Sequence, residues 1–377
     1  MIIFAVLFYG LTPVTGAFIE RRRWRLFRRR FSELRRRPQL DYDTVNFAES
    51  GDFRFTGTFE SIDSETLLWI RSKDLTVQAD LQGARTYVFP NKGDEGDFQV
   101  FDPGEEIPER IRWDRISSLT GDAKVFVGGP LVKRGGRNIF VSLPGNPLLI
   151  IFYEGSEKAL AVRAVRAGRH RNEFFNFLTP IAFVLGAFSQ IIIAVSLLSR
   201  PIHRFTVISA FIALFTPLIP FIPPGLFFTV FYRRLWWRAR LYRSYRDLAR
   251  FPREYFAKGE SQSTLPNGEI YIQKLYDTIP FEIIKKVPLL IPASEKKKKS
   301  QWHFFGTLHK TETDADFPKE PLDEFAISCI LPGDSETMAR SYNRKAYFLE
   351  VISWLLLLAA IGINVFFISL ILMQLGI

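Results

Sequence analysis

The chain has 377 residues, 47% of them hydrophobic and 24% charged, and its 50 Lys and Arg against 39 Asp and Glu give a formal net charge of +11. One cysteine, Cys329, and four histidines exclude an intramolecular disulfide, a cysteine-built zinc site and an iron–sulfur cluster within a single chain. The length leaves room for two ordinary domains, and the composition suits a membrane protein with sizeable soluble parts.

Residues 1–19, MIIFAVLFYGLTPVTGAFI, carry no charge and predict a first transmembrane helix. A secretory signal has its positive charge ahead of the apolar core, whereas here the charge follows. The expectation is an uncleaved anchor, although Thr15 and Ala17 resemble a cleavage site. Residues 20–39, ERRRWRLFRRRFSELRRRPQ, hold ten arginines against Glu20 and Glu33. Trp24, Phe27, Phe31 and Leu34 recur at helical spacing, which predicts a basic amphipathic juxtamembrane helix. Arg21, Arg22, Arg23, Arg25, Arg28, Arg29 and Arg30 cover its remaining surface. Such a helix beside a span is expected to lie in the headgroup layer. There each Arg near anionic lipid contributes on the order of 1 kcal/mol.

Residues 40–170 predict a β-rich cytoplasmic domain, barrel-like or sandwich-like. FRFTGTF at 53–59 and LTVQADL at 75–81 alternate apolar and polar residues. RTYVFP, FQVF, AKVFVGG, NIFVSL and LLIIFYEG follow between Gly, Pro and Asp. Asp94, Glu95 and Asp97 lie in an acidic loop without EF-hand spacing. The run VGGPLVKRGGRN lacks the phosphate-loop pattern, so Gly128, Gly129, Gly135 and Gly136 read as turn glycines with positive φ. The RGG triplet within that run is too weak to indicate RNA binding.

Residues 174–230 predict a transmembrane hairpin, with spans at 174–198 and 205–230 joined by a short link. The second of these reads FTPLIPFIPPG near its middle. Pro217, Pro220, Pro223 and Pro224 each free a backbone carbonyl and are expected to break the helix. Residues 231–253 repeat the basic device. Arg233, Arg234, Arg238 and Arg240 surround Trp237, Leu241, Tyr245 and Leu248, and Trp236 adds a second interface aromatic. This block holds eight arginines against Asp247, and Pro252 is expected to stop its helix. Together the two blocks exceed the net charge of the whole chain, so the remainder is net acidic.

Residues 254–345 predict a smaller second cytoplasmic region, with EIYIQKLY, WHFFGTL and EFAISCI as strands. KKKK at 296–299 and TETDADFPKEPLDE at 311–324 predict loops. His303 and His309 share one strand face without a third metal ligand and read as ordinary histidines. Residues 348–377 predict a fourth span. Among the polar residues of the apolar runs, Asn176, Gln190 and Asn364 stand out, and interhelical hydrogen bonds are their expected use.

The fold class expected is an α+β integral membrane protein with four transmembrane helices. Arginines flank the spans on one side, so both termini are expected outside and both soluble regions in the cytoplasm, at the cell membrane. No catalytic, cofactor or metal motif occurs, and neither a G-x-S-x-G elbow nor an H-E-x-x-H pair is present. The function expected is a non-catalytic membrane-anchored scaffold, assembly or regulatory protein. Its expected partners are anionic membrane lipids and another membrane or cytoplasmic protein, with nucleic acid disfavoured because both basic blocks abut spans. The rival readings are a transporter or channel subunit that uses the proline-broken span and a lipid-headgroup enzyme.

Overall fold

The computed structural model describes residues 2–42, 50–63, 66–72, 75–89, 109–110, 123–134, 137–169, 174, 176–198, 209, 212–295, 300–310 and 316–374. The acidic loop at 94–97, FQVF, Gly135, Gly136, His170, the hairpin link 199–204 and the lysine run 296–299 lie outside them. The helices are α1 (Thr12–Leu34, continued toward the N-terminus by a π-helical Val6–Leu11), α2 (Glu157–Arg166), α3 (Leu178–Leu198), α4 (Gly225–Arg250), α5 (Phe281–Lys286) and α6 (Ser335–Gln374). The chain divides into two compact units. One comprises Met1–Arg25, His170–Arg243 and Asn343–Ile377, and the other comprises Leu26–Arg169 and Ser244–Tyr342.

Among the described residues, three helices are long and apolar enough to cross a membrane. They are Ile3–Leu34, Leu178–Ser196 and Ser335–Gln374, with mean hydropathy 1.6, 2.1 and 2.8 over their most apolar stretches. Phe188, Ile192 and Val195 on α3 are 61–64% exposed, and Leu355, Leu358 and Phe366 on α6 are 60–61% exposed. Water would not tolerate such contiguous apolar faces, so these helices mark a membrane protein. The expected third span is not one helix. Helical residues end at Phe215, a single 3₁₀ turn covers Ile219–Phe221, and α4 starts only at Gly225. The prolines deny the ladder its N–H donors through this stretch. The π-helical turn of the first span sits just ahead of Pro13, which likewise has no N–H to offer.

In the second unit the first sheet is built from β1 (Ser50–Asp63), β2 (Leu67–Ser72), β3 (Leu75–Asp80), β4 (Arg85–Phe89), β5 (Glu109–Arg110), β6 (Lys124–Arg134), β7 (Arg137–Phe140) and β8 (Leu149–Tyr153). β1 pairs antiparallel with β2, β2 with β3, β7 with β6, and β6 with β1, while β3 and β7 run parallel. These pairings return to their start, so five strands form a closed circuit. Alternation puts Phe55, Ile70, Val77, Val127, Leu131 and Phe140 in one buried cluster. β2 went unread in the sequence because LLWIRS has no clean period of two. β6 is long enough to serve twice: Lys124–Gly128 pairs with β8 as well as β1, and β8 carries β4 in parallel beside it.

The outer face of this extension receives α1. Phe27 meets Tyr87 at 4.4 Å, and Phe31 meets Phe126 at 5.4 Å between ring centroids. Phe27, Phe31 and Leu34 are 0–1% exposed, so protein rather than lipid covers this part of the stripe. The period-3.6 pattern was sound, but a buried stripe looks the same in sequence whether its cover is acyl chain or β-sheet. Gly128 is likewise not a turn glycine. It lies within β6, where a Cβ would come within 2.9 Å of Leu34, so the absent side chain lets α1 approach the sheet. Gly129 beside it does have positive φ, +150°.

The second sheet is β9 (Gln262–Thr264), β10 (Ile270–Tyr276), β11 (Trp302–Lys310), β12 (Asp316–Lys319) and β13 (Cys329–Leu331). β11 pairs with β10, and its two halves also take β13 and β12. The expected loop at 311–324 therefore contains a strand, and EFAISCI is strand only at its end. Ile279, Ile283, Val287, Phe304 and Ile330 form its core against α5.

Phe31→Ala should lower stability by about 3–5 kcal/mol, the usual cost of truncating a buried aromatic. The check is the Tm of the purified full chain in detergent, which a lipid-facing Phe31 would leave unchanged.

Candidate functional site

The two arginine blocks divide by environment. On α1, Arg22, Arg23, Arg25 and Arg29 are exposed, Arg21, Arg28 and Arg30 are half-buried, and Trp24 is 5% exposed. On α4, Arg233, Arg234, Trp237 and Arg238 are exposed, while Trp236 and Arg240 are buried. The sequence grouped all of these as one headgroup-facing set. The structure keeps the exposed members available to solvent or lipid, and gives Trp24, Trp236 and Arg240 to the protein interior.

The inward members have definite partners. In the first unit, Arg240 lies 4.4 Å and Arg21 5.8 Å from the Trp236 ring, a cation–π arrangement. Arg243 forms a two-pronged pair with Glu350 at 2.8 and 3.2 Å and reaches Asn343 Oδ1 at 2.6 Å. In the second unit, Asp247 receives Arg169 at 2.7 Å and Arg246 at 2.7 Å, with Arg28 at 3.9 Å. Burial raises the Asp247 pKa, but the three guanidinium groups outweigh it and hold the carboxyl below the usual range. Arg166 Nε donates to Ser244 Oγ at 3.0 Å and Arg30 to Asn146 Oδ1.

The deepest charges of the second unit are Arg35 and Arg54, at 0% and 2% exposure. Arg35 donates to Glu254 Oε2 at 2.7 Å and to the Phe251 carbonyl at 2.9 Å, with its guanidinium 3.8 Å from the Phe251 ring centroid. Arg54 pairs with Asp323 at 2.7 Å and donates to the Arg35 carbonyl. Asp323 in turn accepts the Phe325 N–H at 2.9 Å, which fixes the loop whose Phe325 ring meets Phe126 at 5.2 Å. One network thus joins the end of α1, β1, the turn after α4 and the loop before β13. Pairs separated by 19 to 269 positions carry no local signal, so sequence reasoning could not find them.

The membrane-run residues singled out by sequence are brought together in part. Asn364, 1% exposed, accepts the Gly225 N–H at 3.0 Å, and its amide donates to the Ile219 and Ile222 carbonyls. Pro223 and Pro224 withhold the donors that the Ile219 and Pro220 carbonyls would have met in an unbroken helix. Asn364 supplies the first, and Thr229 Oγ1 supplies the second at 2.7 Å. A Cβ at Gly225 would fall 2.2 Å from the Asn364 amide, so glycine is required there. Asn176 caps the start of α3 through Leu178 N at 2.9 Å and donates to the Pro13 carbonyl at 2.9 Å. Gln190 is fully buried. Pro217 and Pro220 lie in the interrupted stretch between Phe215 and α4.

His303 is 8% exposed and bonded through Nδ1 to the Gln273 amide at 2.8 Å, and burial lowers its pKa against the pull of Asp334. Among the described residues no group of three His, Cys, Asp or Glu could hold a metal. Cys329 is fully buried, and burial pushes its thiol pKa up, so it is a poor nucleophile. Comparison with known proteins finds no matching family model, no matching curated protein and no matching solved structure.

Asp323→Ala should cost about 3–5 kcal/mol by stranding the Arg54 charge, whereas Asp323→Leu combined with Arg54→Met should recover most of that loss. Thermal unfolding of the detergent-purified chain measures both. Equal destabilisation by the single and the double variant would mean that packing, not charge, holds this junction.

Proposed function

We propose that this chain is a non-catalytic, multi-pass membrane scaffold, assembly or regulatory protein that presents its β-sheet unit in the cytoplasm and binds anionic lipid through arginine collars. The reading places both termini outside the cell membrane, since Arg and Lys near spans favour the cytoplasmic side. One observation carries it. Arg22, Arg25, Arg233, Arg234 and Arg238 stay exposed, although carboxylates and aromatic rings recruit many of the other arginines of the same blocks, Arg23 with Glu20 and Arg29 with Glu33 among them. Charges that stability does not consume, placed next to apolar helices, suit a leaflet of opposite sign.

On this reading the closed strand circuit is a small Greek-key barrel. Its order is β1-β2-β3-β7-β6, antiparallel throughout except where β3 and β7 run parallel, and the return of β6 to β1 is what supports a barrel. Strand order alone assigns no ligand. The fourth crossing would be the proline-broken run 205–230, which ends in the first turns of α4.

That break also supports the second reading, a transporter or channel subunit, because discontinuous helices line ion sites in transporters. Against it, the carbonyls freed by Pro223 and Pro224 already take Asn364 and Thr229, which is how a structural kink satisfies itself.

Replacing Arg22, Arg25, Arg233 and Arg234 together by Gln should lower retention of phosphatidylglycerol by at least tenfold without lowering Tm. Each arginine contributes on the order of 1 kcal/mol at low salt, and each 1.4 kcal/mol is tenfold. Native mass spectrometry after delipidation and titration with that lipid gives the readout. Unchanged retention would remove the lipid-binding role, and flux through proteoliposomes that depended on Pro217 or Pro220 would favour transport instead.

A further inference from the structure

A cavity of about 360 Å³ opens in the second unit, and nothing in the membrane reading uses it. Its walls come from five separated segments. Thr56, Gly57 and Thr58 lie on β1, Arg71 and Ser72 on β2, Lys124 on β6, Glu157 at the start of α2, and Glu324 in the loop before β13. The volume falls within the range of small-molecule sites. Every side chain that lines it is polar or charged.

The charged groups are held from below. Glu157 Oε1 accepts both the Tyr153 hydroxyl at 3.1 Å and Lys124 Nζ at 3.2 Å, and Tyr153 is 1% exposed. Glu324 Oε2 accepts the hydroxyl of Thr56 at 3.1 Å, and Thr56, 6% exposed, accepts in turn from Gln39 Nε2 at 3.0 Å. Thr58 donates to the Arg71 carbonyl at 3.3 Å and stands in strand register between Arg71 and Lys124. A register shift in β1 between Phe59 and Ser61 adjoins this row, and bulges of that kind commonly re-aim side chains beside sites. Both carboxylates are thus fixed by hydroxyls that are themselves buried, an arrangement set before any ligand arrives.

The chemistry narrows the occupant. Glu157 and Glu324 repel a phosphate or a nucleic-acid backbone, and Arg71 and Lys124 repel a metal ion. No aromatic side chain lines the cavity among its described residues, so a sugar would have no stacking platform. An apolar ligand would strand the lining hydroxyls and charges without partners. What remains is a ligand that carries both signs. We propose that this cavity binds a short zwitterionic peptide, its ammonium group against Glu324 and its carboxylate against Arg71, with the Lys124–Glu157 pair as the neighbouring polar wall. This inference does not rest on the lipid reading and stands or falls separately from it.

Isothermal titration of the full chain in detergent with trialanine tests it. Saturable binding is expected, and either N-acetylation or C-terminal amidation of the probe should weaken it about tenfold or more, the worth of one charge-assisted hydrogen bond. Arg71→Gln and Glu324→Gln, both at exposed side chains, should each weaken trialanine to the same degree with Tm unchanged. Where a variant does lower Tm, the blocked probes on the unaltered chain decide. Absence of saturable trialanine binding, equal binding of the blocked peptides, or tighter binding of inorganic phosphate or glucose would overturn the proposal.

Discussion

Ten arginines within eighteen residues cannot enter hydrocarbon, and the rest of the structure follows from how α1 accommodates them. Its residues before Glu20 are uncharged and expose Val14 and Phe18. After the arginines begin, the same helix changes its surroundings. Phe27, Phe31 and Leu34 are covered by β4 and β6, and Arg35 closes the helix with Glu254 and the Phe251 carbonyl. One continuous helix therefore contributes an apolar segment to one compact unit and a core-forming stripe to the other. Buried pairs such as Arg54 with Asp323 add fixed register more than net stability, because desolvation offsets much of their attraction.

The basic collar is consequently two populations rather than one. Arg21, Arg35, Arg240 and Arg243 spend their charge on aromatic rings and carboxylates within the protein. Arg22, Arg25, Arg233 and Arg238 face outward. Salt should act mainly on the second population, since exposed charges are screened and buried pairs much less so. A similar economy governs the proline-rich stretch ahead of α4. The backbone groups it leaves without helical partners are met by Asn364 and Thr229, so the break is stitched rather than open.

Much of this was legible in the sequence, for identifiable reasons. Apolar length marked the helices at 2–19, 174–198 and 348–377, and the prolines foretold the interruption near Pro220. Pro252 stopped α4 as expected, since the helix ends at Arg250. Alternation revealed β1 and β3, and the candidate EIYIQKLY became β10. Other features depended on context. α2 went unread although its signals were present: Ser156 caps it through Ala159 N, Glu157 opens it, and Gly168 follows its end with φ +72°. Gly128 looked like a turn residue because its reason for being glycine is Leu34, far away in sequence. The cavity beneath Arg71 and Glu324 was invisible for the same reason, being assembled from segments up to 268 positions apart.

The most direct test of the central claim follows α1 through its changing surroundings. Single nitroxide labels at Phe18, Arg29 and Phe31, in a Cys329→Ser background reconstituted in bilayers, report which solvent each position meets. Phe18 should be accessible to oxygen, Arg29 to a water-soluble nickel chelate, and Phe31 to neither. High oxygen accessibility at Phe31 would contradict the account, because the stripe would then lie in lipid and the β-sheet unit would have lost its cover.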